Sequence, residues 1–115
     1  MRSFEVRVTP SAMAQTRDAV RYVRDELCMP QTAARLLDEI EEAVSSLSSM
    51  PNRFHAVRVE PLLSSGVRRM NVRGYSLFYR VDETSSTVDV FAVLYGTPSD
   101  ARLRRAFQGW AGSEQ

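Results

Sequence analysis

The sequence predicts an α+β domain: an antiparallel, twisted sheet packed on an N-terminal helical hairpin, in the order β-α-α-β-β-β-α. Three observations predict it. Between residues 10 and 49 apolar residues recur every three or four positions, the spacing of one helix face. Met29-Pro30 splits that region in two, because the residue before a proline disfavours the helical conformation, and so short a break makes an antiparallel pair. Between Gly66 and Gly96 three short β-prone runs follow one another, divided by Arg73-Gly74 and by a polar loop. Strands gathered in the second half, after the helices, indicate segregated α+β rather than alternating α/β architecture.

Each element has its own justification. Phe4, Val6 and Val8 alternate with Glu5 and Arg7, as in a half-buried strand. Thr9-Pro10 reads as an N-cap followed by proline at the first helical position, opening a helix from Pro10 to Leu27. Met13, Val20, Val23 and Leu27 share one stripe of it. A second helix, Gln31 to Ser49, carries Ala33, Leu36, Leu37, Ile40, Val44 and Leu47 as its apolar face. Arg53 to Ser65 is irregular, with an extended piece at Ala56 to Val59. A strand then runs from Gly66 to Val72, turns at Arg73-Gly74, and returns as Tyr75 to Val81. Thr87 to Tyr95, apolar on both faces in places, is expected at the centre of the sheet. A short helix over Ala101 to Phe107 follows, and residues 108–115 read as a loose tail, which leaves 1–107 as a single domain. The sheet face away from the hairpin is expected to be open and to bear arginines.

Bulk composition narrows the classes. A chain of 115 residues supports one domain with one modest core. Hydrophobic content of 43% with 25% charged residues is that of a folded protein rather than a disordered one. No apolar run fits a signal peptide or a membrane span. The single cysteine, Cys28, allows no internal disulfide and fits a reducing cytoplasm. No metal-ligand cluster, phosphate-cradling glycine loop or hydrolase elbow is present, so neither a metal nor another cofactor is expected.

Net charge is +1, but it is unevenly spread. Seven acidic residues lie between Asp18 and Glu42, whereas Arg53 to Val81 holds six arginines and one acid, Glu60. An acidic region and a basic region follow, and the local field matters more than the total. All fifteen basic residues are arginine. Genomic base composition accounts for that, and so would a need for forked contacts to phosphate or carboxylate.

The parts in this order resemble the RelE/ParE superfamily of toxins from bacterial type II toxin–antitoxin systems. The resemblance is carried by the first strand, Tyr22-Val23, and Ala34, Leu37, Ile40, Leu47 and Pro51 in and after the second helix. It continues through Gly66-Val67-Arg68-Arg69-Met70, Gly74-Tyr75-Ser76-Leu77-Phe78-Tyr79-Arg80-Val81 and Val93-Leu94-Tyr95-Gly96, so that it spans Val6 to Arg105. It implies the small α+β toxin fold, a cytoplasmic location without membrane attachment, and a cognate antitoxin that joins the toxin in a hetero-oligomer. The implied target is DNA gyrase or another protein for a ParE-like member, or mRNA on the ribosome for a RelE-like one.

The residues speak to that choice. Metal-independent RNA cleavage must activate a 2′-hydroxyl, stabilise a pentacoordinate phosphate and protonate the leaving oxygen. The RelE-like pattern implies an arginine straight after the Gly-Tyr of the middle strand and a basic group after the last strand. Here those places hold Ser76 and Gly96-Thr97-Pro98. The expectation is therefore a ParE-like toxin rather than an enzyme. The alternatives are a ribosome-dependent mRNA interferase, a metal-independent endoribonuclease drawing on His55, Arg69 and Tyr75, and a degenerate, non-toxic binding module. Arg68, Arg69, Arg73, Arg80 and Tyr95 are the candidate contacts to target or antitoxin. Adjacent strand residues point to opposite faces, so Arg68 and Arg69 cannot both face the open side, and one is expected to pair with Glu39 or Glu42. Arg73 at the turn is expected to be solvated, and Arg80 to share a face with Ser76 and Phe78. Tyr75, Tyr79 and Tyr95 could stack on bases or pack in the sheet. Phe107 and Trp110 either fold back on the domain or await a partner.

Overall fold

The computed structural model describes residues 2–113. Strand β1 (Glu5–Val8) leads into helix α1 (Pro10–Arg21), which ends in a π-helical turn at Tyr22–Glu26. Helix α2 (Pro30–Ser46) and a 3₁₀ turn (Pro51–Arg53) follow. Then come β2 (His55–Ala56), β3 (Val67–Val72), β4 (Tyr75–Asp82), β5 (Thr87–Tyr95) and α3 (Asp100–Ser113). Thr9 caps α1 as its sequence predicts: its hydroxyl accepts from Ala12 N at 3.1 Å, with Pro10 in the first turn.

The sheet order is β1-β5-β4-β3-β2. All pairings are antiparallel except β1 with β5, which is parallel. The path of the hairpin explains the exception. Gln15 of α1 reaches Val93 N at 2.7 Å, so α1 climbs with β5, and Phe4 N donates to Ser48 O at 2.8 Å, so the end of α2 lies beside the start of β1. The two helices return the chain to the end from which β1 departed. β3, and after it β5, then run the same way as β1. The β3–β4 turn is made by Arg73 (φ 46°) and Gly74 (φ 83°), two consecutive left-handed residues as a two-residue hairpin requires.

The meander keeps strict face alternation except at one bulge. Phe78 pairs with Ala92 and Tyr79 with Val90, so Phe91 is an extra residue. Both Phe91 and Ala92 thereby face α3, while Val88, Val90 and Val93 face the hairpin. This gives β5 its apolar residues on both faces.

Two cores result. The hairpin side joins Ala12, Ala19, Val23, Ala33, Leu36, Ile40 and Leu47 to Leu77, Tyr79 and Val81 of β4. The far side is not open, contrary to expectation. It is covered by α3 and by residues 57–66, whose Val57 and Leu62 join Phe78, Phe91, Leu94, Leu103, Phe107 and Trp110. The predicted short helix and tail are one helix through Ser113, and residues 114–115 of the predicted tail lie outside the described residues. Leu103, Phe107 and Trp110, three and four apart, form its buried stripe. Trp110 stacks on Phe91 (5.0 Å between centroids, 6° between planes), and Phe107 meets both edge-on. Ser99 starts this helix, its Oγ accepting from Arg102 N.

Candidate functional site

The candidate residues fall into separate places rather than one surface. Strand alternation sends Arg68 to the hairpin side, where it donates to Asn52 Oδ1 (3.1 Å) and Phe54 O (2.6 Å). It thus fixes the segment after α2 and does not meet Glu39 or Glu42. Arg73 is exposed at the turn, as expected, and is the residue that pairs with Glu39. Its left-handed backbone at the turn aims the side chain back toward α2. Arg80 does share a face with Ser76 and Phe78, as expected. It donates to Ser65 O at 3.2 Å, and its guanidinium lies 6.0 Å from the Trp110 ring. Beside it on β5, Asp89 is almost buried and takes a forked pair from Arg7 at 2.8 and 2.9 Å. That pair links the first and last strands; alternation in β1 predicts an outward Arg7 but not its partner.

Arg69 points the other way, into a groove between β2–β3 and the start of α3 whose lining mixes polar residues with Val57, Val59, Phe78 and Leu103. His55 is its cross-strand neighbour, and Arg58, Thr97, Pro98 and Asp100 complete the walls. The groove has a volume of about 300 Å³. Arg69 is held within it, Nε to Asn71 Oδ1 (3.2 Å) and Nη2 to Thr97 Oγ1 (3.4 Å). His55 and Arg58 are exposed, and Arg58 makes no ion pair among the described residues. Tyr75 lies elsewhere, so the three residues that an endoribonuclease reading brings together are not one cluster.

Ser76 explains the quiet end of this groove. It is 1% exposed, and its hydroxyl donates to Gly96 O at 2.8 Å, with Asn71 Oδ1 3.3 Å away. The side chain ties the β5–α3 loop to the sheet and is closed off from the groove. Gly96, Thr97 and Pro98 add no charge.

Tyr75 and Tyr95 meet edge-to-face at 5.1 Å at the end of the hairpin, over a recess of about 550 Å³ that also involves Tyr22, Leu27, Leu36 and Arg73. Burial pushes the Tyr75 hydroxyl above its usual range, with the hydroxyls of Tyr95 and Tyr22 adding to it. Tyr79 is fully buried, donates to Pro51 O at 2.7 Å, and burial carries its pKa to about 12. It is therefore a core residue rather than a base-stacking one. Neither Tyr22 nor Leu27 gives a site signal in the sequence, because a tyrosine off the apolar stripe and a leucine on it both read as ordinary helix residues.

A third recess, about 580 Å³, runs between α1, α2 and β1 and is lined by Val6, Val8, Met13, Leu37, Ile40 and Val44 among others. No group of three or more His, Cys, Asp or Glu that could hold a metal ion occurs among the described residues. No helix among them is long and apolar enough to cross a membrane.

The comparisons with known proteins agree with this architecture. A search of curated proteins found no match. Among solved structures, the chromosomal ParDE system of P. aeruginosa superposes with a TM-score of 0.66 at 20% identity, covering 84% of this chain and all of that one. The RelBE2 toxin–antitoxin complex of Mycobacterium tuberculosis gives 0.60 at 24% identity, over 81% and 98% of the two chains. A free E. coli RelE mutant gives 0.56 at 15% identity, over 92% of each. These likenesses concern the fold. The profile of the ParE toxin of type II toxin–antitoxin systems matches residues 6–97, and the chain belongs to that toxin family.

Proposed function

We propose that this toxin arrests growth by binding a protein target such as DNA gyrase, in the cytoplasm, and is silenced by a cognate antitoxin in a hetero-oligomer. The observation that carries the choice of target is Ser76. Where a RelE-like nuclease carries an arginine, this chain has a buried hydroxyl committed to Gly96 O. Arg69 is in turn steered toward Asn71 and Thr97, although donors remain free on its guanidinium. Phosphate binding and proton transfer both need groups free to reach the substrate, and such groups are sparse here. The ParE family match and the ParDE likeness support the same reading.

The antitoxin fits the apolar groove beside β1. Met13 and Leu37 are 47% and 36% exposed there, and Val6 and Val8 border it on an edge strand. An amphipathic segment laid in that groove would bury these side chains. The ParDE and RelBE2 relatives are themselves toxin–antitoxin systems.

A second reading, mRNA cleavage on the ribosome, is favoured by one observation: His55, Arg58 and Arg69 line a single groove. Controlled expression with and without the neighbouring small gene, followed by mapping of transcript ends, separates the two. Arrest with intact transcripts and a DNA-damage response is the expected result. New codon-phased mRNA ends would establish the interferase reading. Soluble protein without arrest would leave a non-toxic binding module.

A further inference from the structure

The recess at the tip of the hairpin has a composition unlike the other two. Val23 and Leu36 form its floor, and Tyr22, Leu27, Tyr75 and Tyr95 its mouth. Its volume of about 550 Å³ falls within the range of pockets that hold a ligand or an anchoring side chain, roughly 300–1,000 Å³. Tyr22 is 53% exposed, Leu27 47%, nearby Met29 46% and Tyr95 71%, so large side chains gather at one end of a small molecule with nothing over them. Tyrosine gives wide contact area with few torsions to freeze, and tyrosine and arginine are the residues enriched at protein–protein hot spots. Isolated exposed apolar residues need no explanation, but a contiguous set beside a cavity does.

The charges around the mouth favour one class of partner over another. Arg73 is matched by Glu39, Arg21 by Asp18 and Arg24 by Asp25. Glu26 makes no ion pair among the described residues. A second, smaller recess shares Tyr22 with the first and is otherwise lined by Asp18, Arg21, Asp25 and Glu26. Glu26 is thus a carboxylate left over at the mouth, and Arg35, one turn beyond Thr32 on α2, is a single cation without an ion pair among the described residues. A phosphodiester backbone would find one unpaired arginine here rather than the several uncompensated cations on which nucleic-acid affinity rests. A protein segment with a basic residue next to an apolar one would be matched on both counts.

We propose that this surface docks the toxin's protein target: the tyrosine recess takes an apolar or aromatic side chain, and a neighbouring lysine or arginine of the target meets Glu26. The proposal rests on the reading that the toxin acts on a protein, and it places target and antitoxin on separate surfaces. The division is visible in α2, where Leu36 lines the tyrosine recess while Leu37 lines the groove beside β1.

The test uses the full chain carrying Tyr22→Ala or Glu26→Arg, compared with wild type at matched expression. Three quantities are read: growth arrest, inhibition of gyrase holoenzyme, and affinity for the antitoxin encoded by the neighbouring gene. Both side chains are exposed, so both variants are expected to fold, with circular dichroism as the check. The expected result is a loss of about tenfold or more in inhibitory potency in each variant, the scale of a lost interface anchor, with antitoxin affinity unchanged. Undiminished arrest would overturn the proposal. A parallel loss of antitoxin affinity would also overturn it, by assigning the surface to the antitoxin. Failure of the underlying reading shows in the wild type alone: transcripts cut, or no arrest, would remove the protein target and this surface with it.

Discussion

The two faces of the sheet are closed by different materials, and they leave different things exposed. The hairpin face is packed by alanines and branched aliphatics from two helices, and the recesses it leaves, at the β1 groove and the tyrosine tip, are mainly apolar. The α3 face is sealed by α3 and residues 57–66, with stacked and edge-on aromatics, and the recess it leaves is the more polar one, carrying His55, Arg58 and Arg69. The difference teaches where each kind of partner can be held. Protein anchors suit the hairpin face, whereas the α3 face offers contacts to anions without a complete catalytic set.

The strongest way to break this comparison is to remove the aromatic seal. Phe91→Ala deletes the ring on which Trp110 stacks and is expected to cost about 3–5 kcal/mol of unfolding free energy. Chemical denaturation followed by Trp110 fluorescence measures it. A cost under about 1 kcal/mol would mean that α3 is only loosely seated on the sheet.

Two ion pairs give an intermediate contrast within one molecule. Asp89 is 9% exposed against Arg7, whereas Glu39 and Arg73 are each more than 40% exposed. Arg7→Ala strands a nearly buried carboxylate and is expected to cost about 1–3 kcal/mol. Arg73→Ala breaks a solvated pair and is expected to cost less than about 1 kcal/mol. Equal costs, measured by the same denaturation, would contradict the assignment of Asp89 to the interior.

The remaining contrast is a pH dependence, which appears only in alkali. The Tyr79 hydroxyl titrates near 10.0 when unfolded and near 12 in the fold. The folded state therefore holds its proton more tightly. The associated stability is complete below pH 10 and is lost as pH rises toward 12. Thermal unfolding scanned across that window should show a decline that Tyr79→Phe flattens. An identical slope in the variant would place the titrating group elsewhere.

Legibility in the sequence follows the same division of faces. The hairpin side was readable because its signals are local: Thr9-Pro10, the three- and four-residue spacing of Leu36 and Ile40, and the Arg73-Gly74 turn. The alternation that puts Tyr75, Leu77 and Tyr79 opposite Phe78 and Arg80 was equally plain. The α3 face was not, because it is assembled from distant pieces. Leu62 sits in a stretch with no period, and Trp110 follows Gly109, which weakens a helix pattern. The arginines at 68, 69, 73 and 80 lie close in sequence, but strand alternation and a turn disperse them over both faces. In the sequence Ser76 reads as a missing charge, while its role in tying down Gly96 depends on the partner's position in space.

The parallel pairing of β1 with β5 has a consequence for how the toxin comes into being. Its contacts join residues about eighty positions apart, as Arg7 with Asp89 shows. During synthesis the first strand leaves the ribosome without a neighbour, and it must wait until the fifth has emerged before it can enter the sheet. Closing so long a loop is entropically expensive and tends to slow folding. The helical hairpin, whose contacts are local, can form while the chain is still growing, but the finished sheet cannot. A nascent chain interrupted before β5 would therefore expose an unpaired strand and lack the Tyr95 end of the tip recess.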